Sequence, residues 1–591
     1  MRPGISLPCI VGAWIVACAP MPRTAPRGPA PVPAPPTTME METATLRLTA
    51  VCAGADAPTS LAIALTFESA GAPVFGLADR VQGAAGMTAL VDRIEATDER
   101  GPLGLVRQQA GGDLRLVASR AVQGSVTLRW RARSVAASER GALFGLRHDA
   151  TGVGGHGAHF LILPEDPRSR RIRVVWGPTD CAGEVRGMSS YGEEAAEFTG
   201  TLAQLGLASF FAGRPTRVGI DRGDLHVRSA WFGAPAFDPV DAAAWASRAY
   251  AAERAFFADE DPGPYAIFVR VVDEMGARGK GTGHPRSFLA SIGPATAWDL
   301  DFRTRVAHEM LHRWIGLGVR FAGPDGTHFW FTEGFTVHYA RALMLRAGLM
   351  TPDEFAADLE RTTAMYHANE HITAANDEIR AHFWDDESFA TLPYVRGSLY
   401  AAELDADIRR ASHGARSLDD VMRALHRRSL TAPINEFGLR ELSVLVFREL
   451  VAQELGEAGV QRFTAVILDG ELAAPAADAF GPCFRRVARA TAPFQLGFDE
   501  PRSLAERRVH GVVAGSAAAR AGLQDGDELV AFESPRLRSD RPAVITVTRA
   551  GGPKEIRWLP ARTGPKVAGY AWVRAPGVPD DRCASPWSLP G

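Results

Sequence analysis

His308-Glu309-Met310-Leu311-His312, followed by Trp330-Phe331-Thr332-Glu333-Gly334, is the stretch on which the reading of this 591-residue chain turns. Side chains four apart on a helix share one face. His308 and His312 can therefore reach one metal ion, and Glu309 between them points toward its open position. Two imidazoles, a carboxylate and a water form the donor set of a catalytic zinc, not a structural one. Local signals support the helix. Phe302, Val306, Met310 and Trp314 make an apolar stripe at helical spacing, so a helix is predicted over residues 301–318. Asp299 or Asp301 can cap its start, and Gly316 and Gly318 can end it. A second helix is predicted over residues 332–345, with Gly348 as its stop. It puts Glu333 in its first turn as the third ligand, and Gly334 beside it would let backbone approach the metal closely.

The whole chain is too long for one core, and about three domains are expected. Hydrophobic content of 46% and charged content of 23% place it among globular proteins. A formal charge of -3 gives no polyanion-binding signal, so nucleic acid is excluded as a partner. The first 17 residues read as a lipoprotein-type signal: Arg2 precedes an apolar segment that ends in Ile15-Val16-Ala17-Cys18. Cys18 is then the expected lipidation site and membrane anchor, and the protein is expected on the periplasmic or outer-surface side of a cell envelope. An ordinary cleaved signal peptide is the alternative. Residues 18–39 are a proline-rich linker, with eight prolines between positions 19 and 38, stiff and with nothing to bury.

Cys9 and Cys18 fall in the signal segment, which leaves Cys52, Cys181, Cys483 and Cys583. In an exported protein these allow two disulfides in any of three pairings. Cys483 and Cys583 flank one C-terminal region, which favours that pair, with Cys52–Cys181 as the other. Residues 40–236 read as an N-terminal β-sandwich-like domain, with alternating strands over residues 45–50 and 126–131 and a less regular one over 172–176. Residues 237–488 are mainly helical apart from a buried strand over 265–272, and the metal motif lies within them. The fold class expected is therefore multidomain α+β.

Residues 489–570 have their own signature. Gly515-Ser516-Ala517-Ala518-Ala519-Arg520-Ala521-Gly522-Leu523 ahead of Asp525-Gly526-Asp527-Glu528-Leu529 resembles an element of PDZ domains. The resemblance implies that Leu496, Gly497 and Phe498 form a carboxylate-binding loop, where a peptide C-terminus docks by adding a strand. Residues 571–591 are then a C-terminal tail.

With these elements together, the chain resembles the glycyl aminopeptidase family of gluzincin metallopeptidases, which has an N-terminal β domain, a thermolysin-like catalytic domain and a C-terminal PDZ domain. The resemblance implies one zinc ion bound by His308, His312 and Glu333, Glu309 as general base, and hydrolysis of a peptide substrate. Tyr394, in Tyr394-Val395-Arg396-Gly397 ahead of Leu404-Asp405-Ala406-Asp407-Ile408-Arg409, matches the family's oxyanion-stabilising tyrosine. On the strand before the metal helix the family carries a G-G-x-E-H-like segment whose glutamate holds a substrate's free amine. Here Gly281-Thr282-Gly283-His284 stands in that place, so Gly281, Gly283 and His284 are substrate-binding candidates, and Gly283 replaces the acid. Exopeptidase specificity is thereby separated from the hydrolytic chemistry. The contrasting reading is a non-catalytic peptide-binding envelope lipoprotein with a vestigial metal site.

Overall fold

In the computed structural model the described residues are 41–583, apart from Ala70, Gly83, Pro262, residues 276–278, Asp385 and Glu436. The signal segment, the proline-rich linker and Cys18 lie outside the described residues, as does the end of the expected C-terminal tail.

A five-stranded mixed sheet stands at the centre, in the order Thr216–Arg222, Leu225–Phe232, Tyr265–Val271, Ser287–Ile292, Gly279–His284. Its three inner strands run parallel, and each outer strand is antiparallel to its neighbour. Tyr265–Val271 is an almost unbroken apolar run because both its faces are covered. Alternation along the strand sorts the two sides. Tyr265, Ile267 and Val269 join the helical core with Val306, Met310 and Trp314. Ala266 and Phe268 point the other way and pack with Met188 and Phe211 of the N-terminal β region.

That β region contains sheets of seven, six and four strands. The predicted strands appear as Thr43–Val51, Ser125–Arg133 and Arg170–Trp176, all in the seven-stranded sheet. Leu46, Leu65, Trp130 and Phe210 belong to their common core. The expected boundary at 236 falls elsewhere: Thr216–Arg222 and Leu225–Phe232 belong to the central sheet. Leu225–Phe232 pairs in parallel with Tyr265–Val271, and a parallel pair needs a crossover, which the helix Pro239–Phe257 supplies. Asp238 caps that helix by accepting the Val240 N–H at 2.8 Å.

At the C-terminal end, Phe484–Thr491 and Val567–Arg574 pair as a two-stranded ribbon. Phe484, Trp572 and Cys583 belong to the helical core, so residues 571–583 are integral to the body and not a tail. Between the ribbon strands sits a small module with its own core, including Phe498, Val509, Leu529, Ile545 and Trp558. Its sheet has three strands, Glu528–Glu533, Ala543–Arg549 and Gly552–Trp558. Both expected disulfides are present, Cys52–Cys181 and Cys483–Cys583, with Cα atoms 5.1 and 5.2 Å apart. No described helix is long and apolar enough to cross a membrane.

The loop Leu496-Gly497-Phe498 does not open onto a strand that a peptide could extend. It runs directly into the helix Glu500–Glu506. Asp499 accepts the Arg502 N–H at 3.1 Å as N-cap, and Pro501 occupies the first turn where its missing N–H costs nothing. The Leu496 carbonyl is taken by Trp558 Nε1 at 3.0 Å, and Phe498 is buried in the module's core.

Candidate metal centre

The metal helix spans Leu300–Leu311, and Asp299 caps it by accepting the Phe302 N–H at 3.0 Å. It ends well before Gly318. His312 is its helical C-cap, and the chain then turns so that the Ile315 carbonyl lies 3.1 Å from His312 Nδ1. A carbonyl only accepts, so Nδ1 carries the proton and Nε2 is left as a lone-pair donor. This partner could not be read from the sequence, because the helical pattern continues through the turn that creates it.

Glu333 sits in a π-helical turn, Trp330–Phe335, which leads into the helix Thr336–Arg346. Such wide turns re-aim side chains and are frequent at functional sites. Gly334 does not serve the metal as expected. A Cβ there would lie 2.5 Å from the Gly397 Cα, so the two glycines let the π turn cross the helix Glu387–Ala411 at backbone contact. Tyr394 is one turn before Gly397, and the crossing brings its ring against His308, with centroids 6.0 Å apart and planes at 22°.

Glu333 Oε2 is 3.2 Å from His308 Nε2 and 3.6 Å from His312 Nε2. The three donor atoms all lie within 4.8 Å of one another. Two imidazoles and one carboxylate at this spacing fit zinc. The three side chains keep 11–13% of their surface accessible, enough for a fourth ligand to reach the centre.

The surrounding charges are ordered. Burial pushes the Glu309 carboxyl up to about 7 and the Glu333 charge adds to this, while His312 opposes it. Burial would also raise Glu333, but His312, His308 and a hydrogen bond with Tyr394 hold it below the usual range. Burial, then the Glu333 and Glu309 charges, raise the Tyr394 phenol well above its ordinary value, so it remains a proton-bearing donor.

The edge strand Gly279–His284 runs along the metal helix. A Cβ on Gly281 would lie 2.5–2.6 Å from Glu309 side-chain atoms, and one on Gly283 would lie 2.6 Å from the Glu309 carbonyl and the His312 Cβ. Both glycines thus line Glu309 and admit no side chain as the strand lies. His284, expected among the substrate-binding residues, does not join Gly281 and Gly283 against the metal helix. Strand alternation sends it to the opposite face from Gly283, where it is buried and stacked on His156 of the N-terminal region at 4.3 Å.

Residues 301–385 match the family model described as M61 glycyl aminopeptidase. No curated protein matches the chain. Among solved structures, an aminopeptidase N family protein from Idiomarina loihiensis superposes with a TM-score of 0.65 at 13% identity, covering 92% of this chain and 100% of that one. An M1 zinc metallopeptidase from Deinococcus radiodurans gives a TM-score of 0.47 at 18% identity, covering 74% of this chain and 96% of that one. The first of these shares the overall fold: a large β-rich N-terminal region followed by a helical part. The match takes in both halves of the metal motif, so residues 301–385 of this chain are similar to the M61 glycyl aminopeptidases.

Proposed function

We propose that the protein hydrolyses peptide bonds with one zinc ion held by His308, His312 and Glu333. When bound, zinc supplies Lewis acidity, which acidifies water and polarises a carbonyl. Glu309 takes the proton of the attacking water and passes it to the leaving amine; its place on the metal helix beside His308 suits it to both transfers. Tyr394 donates its phenolic hydrogen to the developing oxyanion. Ile315 fixes the His312 tautomer through its carbonyl. The observation that carries this reading is the convergence of two histidines and Glu333 within 4.8 Å.

The reading is aminopeptidase-like in fold and leaves the position of the cut bond open. Gly283 offers no carboxylate to a free amine, and its surroundings leave no space for one. The C-terminal module is PDZ-like in its sequence elements, but the helix after Phe498 removes the strand edge on which peptide capture would depend. Export and lipid anchoring at Cys18 remain part of the proposal, supported by the sequence pattern alone. The test is metal analysis of purified protein, then peptide cleavage by wild type and Glu309→Gln. A zinc content near zero, or equal cleavage by the two proteins, would overturn it.

A further inference from the structure

Two residues separate His312 from the Ile315 carbonyl that fixes its tautomer, and both are tied to one oxygen atom. Arg313 Nε donates to Asp259 Oδ2 at 3.0 Å, and Trp314 Nε1 donates to the same oxygen at 2.9 Å. Trp314 is fully buried and stacked on Phe257, with ring centroids 5.4 Å apart. The Arg313 guanidinium lies over the Trp314 ring, 5.5 Å from its centroid. The first two steps of the chain beyond His312 are thereby held, and the third delivers the carbonyl that faces His312 Nδ1.

Asp259 is itself held for this contact. It follows the helix Pro239–Phe257, which ends on Ala258 in left-handed backbone. Its other oxygen, Oδ1, accepts the Asp261 N–H at 3.0 Å, and its carbonyl accepts from Arg254 Nε at 2.7 Å. An aspartate that bonds the backbone two residues on closes a local turn with its own side chain. The aim of Oδ2 is fixed by that turn.

Arg313 carries the connection further. Its Nη2 reaches Asp261 Oδ2 at 3.0 Å, and its Nη1 donates to the Pro285 carbonyl at 2.9 Å. Pro285 and Arg286 form the tight turn between the strands Gly279–His284 and Ser287–Ile292. Arg286 also meets Asp261, at 2.7 Å. One guanidinium thus fastens both the turn after His312 and the edge strand whose Gly283 lies against the His312 Cβ. The Arg313 side chain is 8% exposed. A guanidinium so withdrawn from water needs its donors filled in good geometry, which leaves little room for displacement.

We propose that Asp259 and Arg313 are positioning residues of the metal centre, which aim His312 through the turn Arg313-Trp314-Ile315 and so set the affinity for zinc. This rests on the zinc reading above and deepens it. Neither residue touches the metal ligands' donor atoms. Their effect passes through the Ile315 carbonyl to the His312 ring, and through Pro285 to the strand beside it.

The test measures zinc affinity of the full chain by competition with a chromogenic chelator. Asp259→Ala and Arg313→Leu should each raise the zinc dissociation constant about 10- to 100-fold, the range for loss of an outer partner of a metal ligand. Asp259→Asn and Arg313→Lys, which keep part of the contacts, should fall between these and wild type. Arg286→Gln touches only Asp261 and should leave the constant unchanged. Cobalt put in place of zinc reports the ligand geometry by its visible absorption, which should change in the first two variants and not in Arg286→Gln. Melting of the metal-free proteins separates loss of fold from loss of aim. If the alanine or leucine variant does not fold, the asparagine and lysine variants decide. Unchanged zinc affinity in the folded variants would overturn the proposal, as would an equal loss in Arg286→Gln. Wild type that binds zinc but cleaves no peptide would sink the peptidase reading and leave the positioning role standing. Wild type that binds no zinc would overturn both.

Discussion

His308 and His312 on one side of the central sheet, and His156, His159 and His284 on the other, are all largely withdrawn from water, yet they meet different surroundings. The first two come from one helix, face the Glu333 carboxylate, and in His312 a carbonyl fixes the tautomer. The other three come from two regions of the chain and pack as rings, His156 on His284 at 4.3 Å and against His159 at 5.4 Å. Both nitrogens of His156, Nδ1 of His159 and Nε2 of His284 lack protein partners. Imidazoles aimed by spacing and a carboxylate are built to bind. Imidazoles stacked without acceptors are held neutral and contribute surface, at the cost of unpaired nitrogens.

Glu309→Gln separates the sides most sharply. It should lower kcat by about 10³-fold with zinc content unchanged, as expected for loss of a general base, and steady-state kinetics with metal analysis checks both. Next, under the proposed mechanism, in which the phenol acts on charge that develops in the transition state, Tyr394→Phe should cost about 10²-fold in kcat with little change in KM. Retention of full activity would return Tyr394 to a packing role.

Gly283→Ala probes the wall between the two sides. The added methyl would press on the Glu309 carbonyl and His312 Cβ at 2.6 Å. A stability loss of about 1–3 kcal/mol is expected, with activity reduced in step, read from thermal melts and kinetics together. A neutral outcome would mean that the edge strand shifts freely.

A pH-dependent effect is expected on the other side. Burial holds His156 well below its ordinary value, His159 at about 4 and His284 at about 3. Each is neutral in the fold and takes a proton in the unfolded chain near its ordinary 6.5. Their contribution is therefore present above that pH and lost as the pH falls from there toward 4. The slope is about 1.4 kcal/mol per pH unit for each histidine. Melting temperatures measured across that range should fall on acidification, and His156→Phe should flatten the fall. An unchanged slope in the variant would show that the stacked histidines are not its source.

How much of this was legible follows from how local each signal is. The convergence of His308, His312 and Glu333 was readable because it is tied to short spacings, and the place of Tyr394 against His308 followed one family pattern. The early end of the metal helix at Leu311 was not, since the apolar stripe runs on to Trp314 through a turn held by tertiary contacts. The helix after Phe498 was announced by Asp499-Glu500-Pro501, a cap followed by a first-turn proline, but the resemblance around it outweighed that local signal. Placement of Leu225–Phe232 in the central sheet was hidden because a strand's own pattern does not say which sheet it joins. Arg536 on the metal helix, and His156 on His284, are meetings of segments more than a hundred residues apart, and no local periodicity encodes them.

The bridge between Cys483 and Cys583 spans the whole C-terminal insertion, 100 residues in all. A protease that makes a single cut in an exposed turn of this module would therefore release no fragment while the bridge is oxidised. The nicked molecule would run at its original mass until a reductant is added, and only then divide. Were the proposed peptidase to make such a cut in a second copy, the damage would pass unseen on a non-reducing gel.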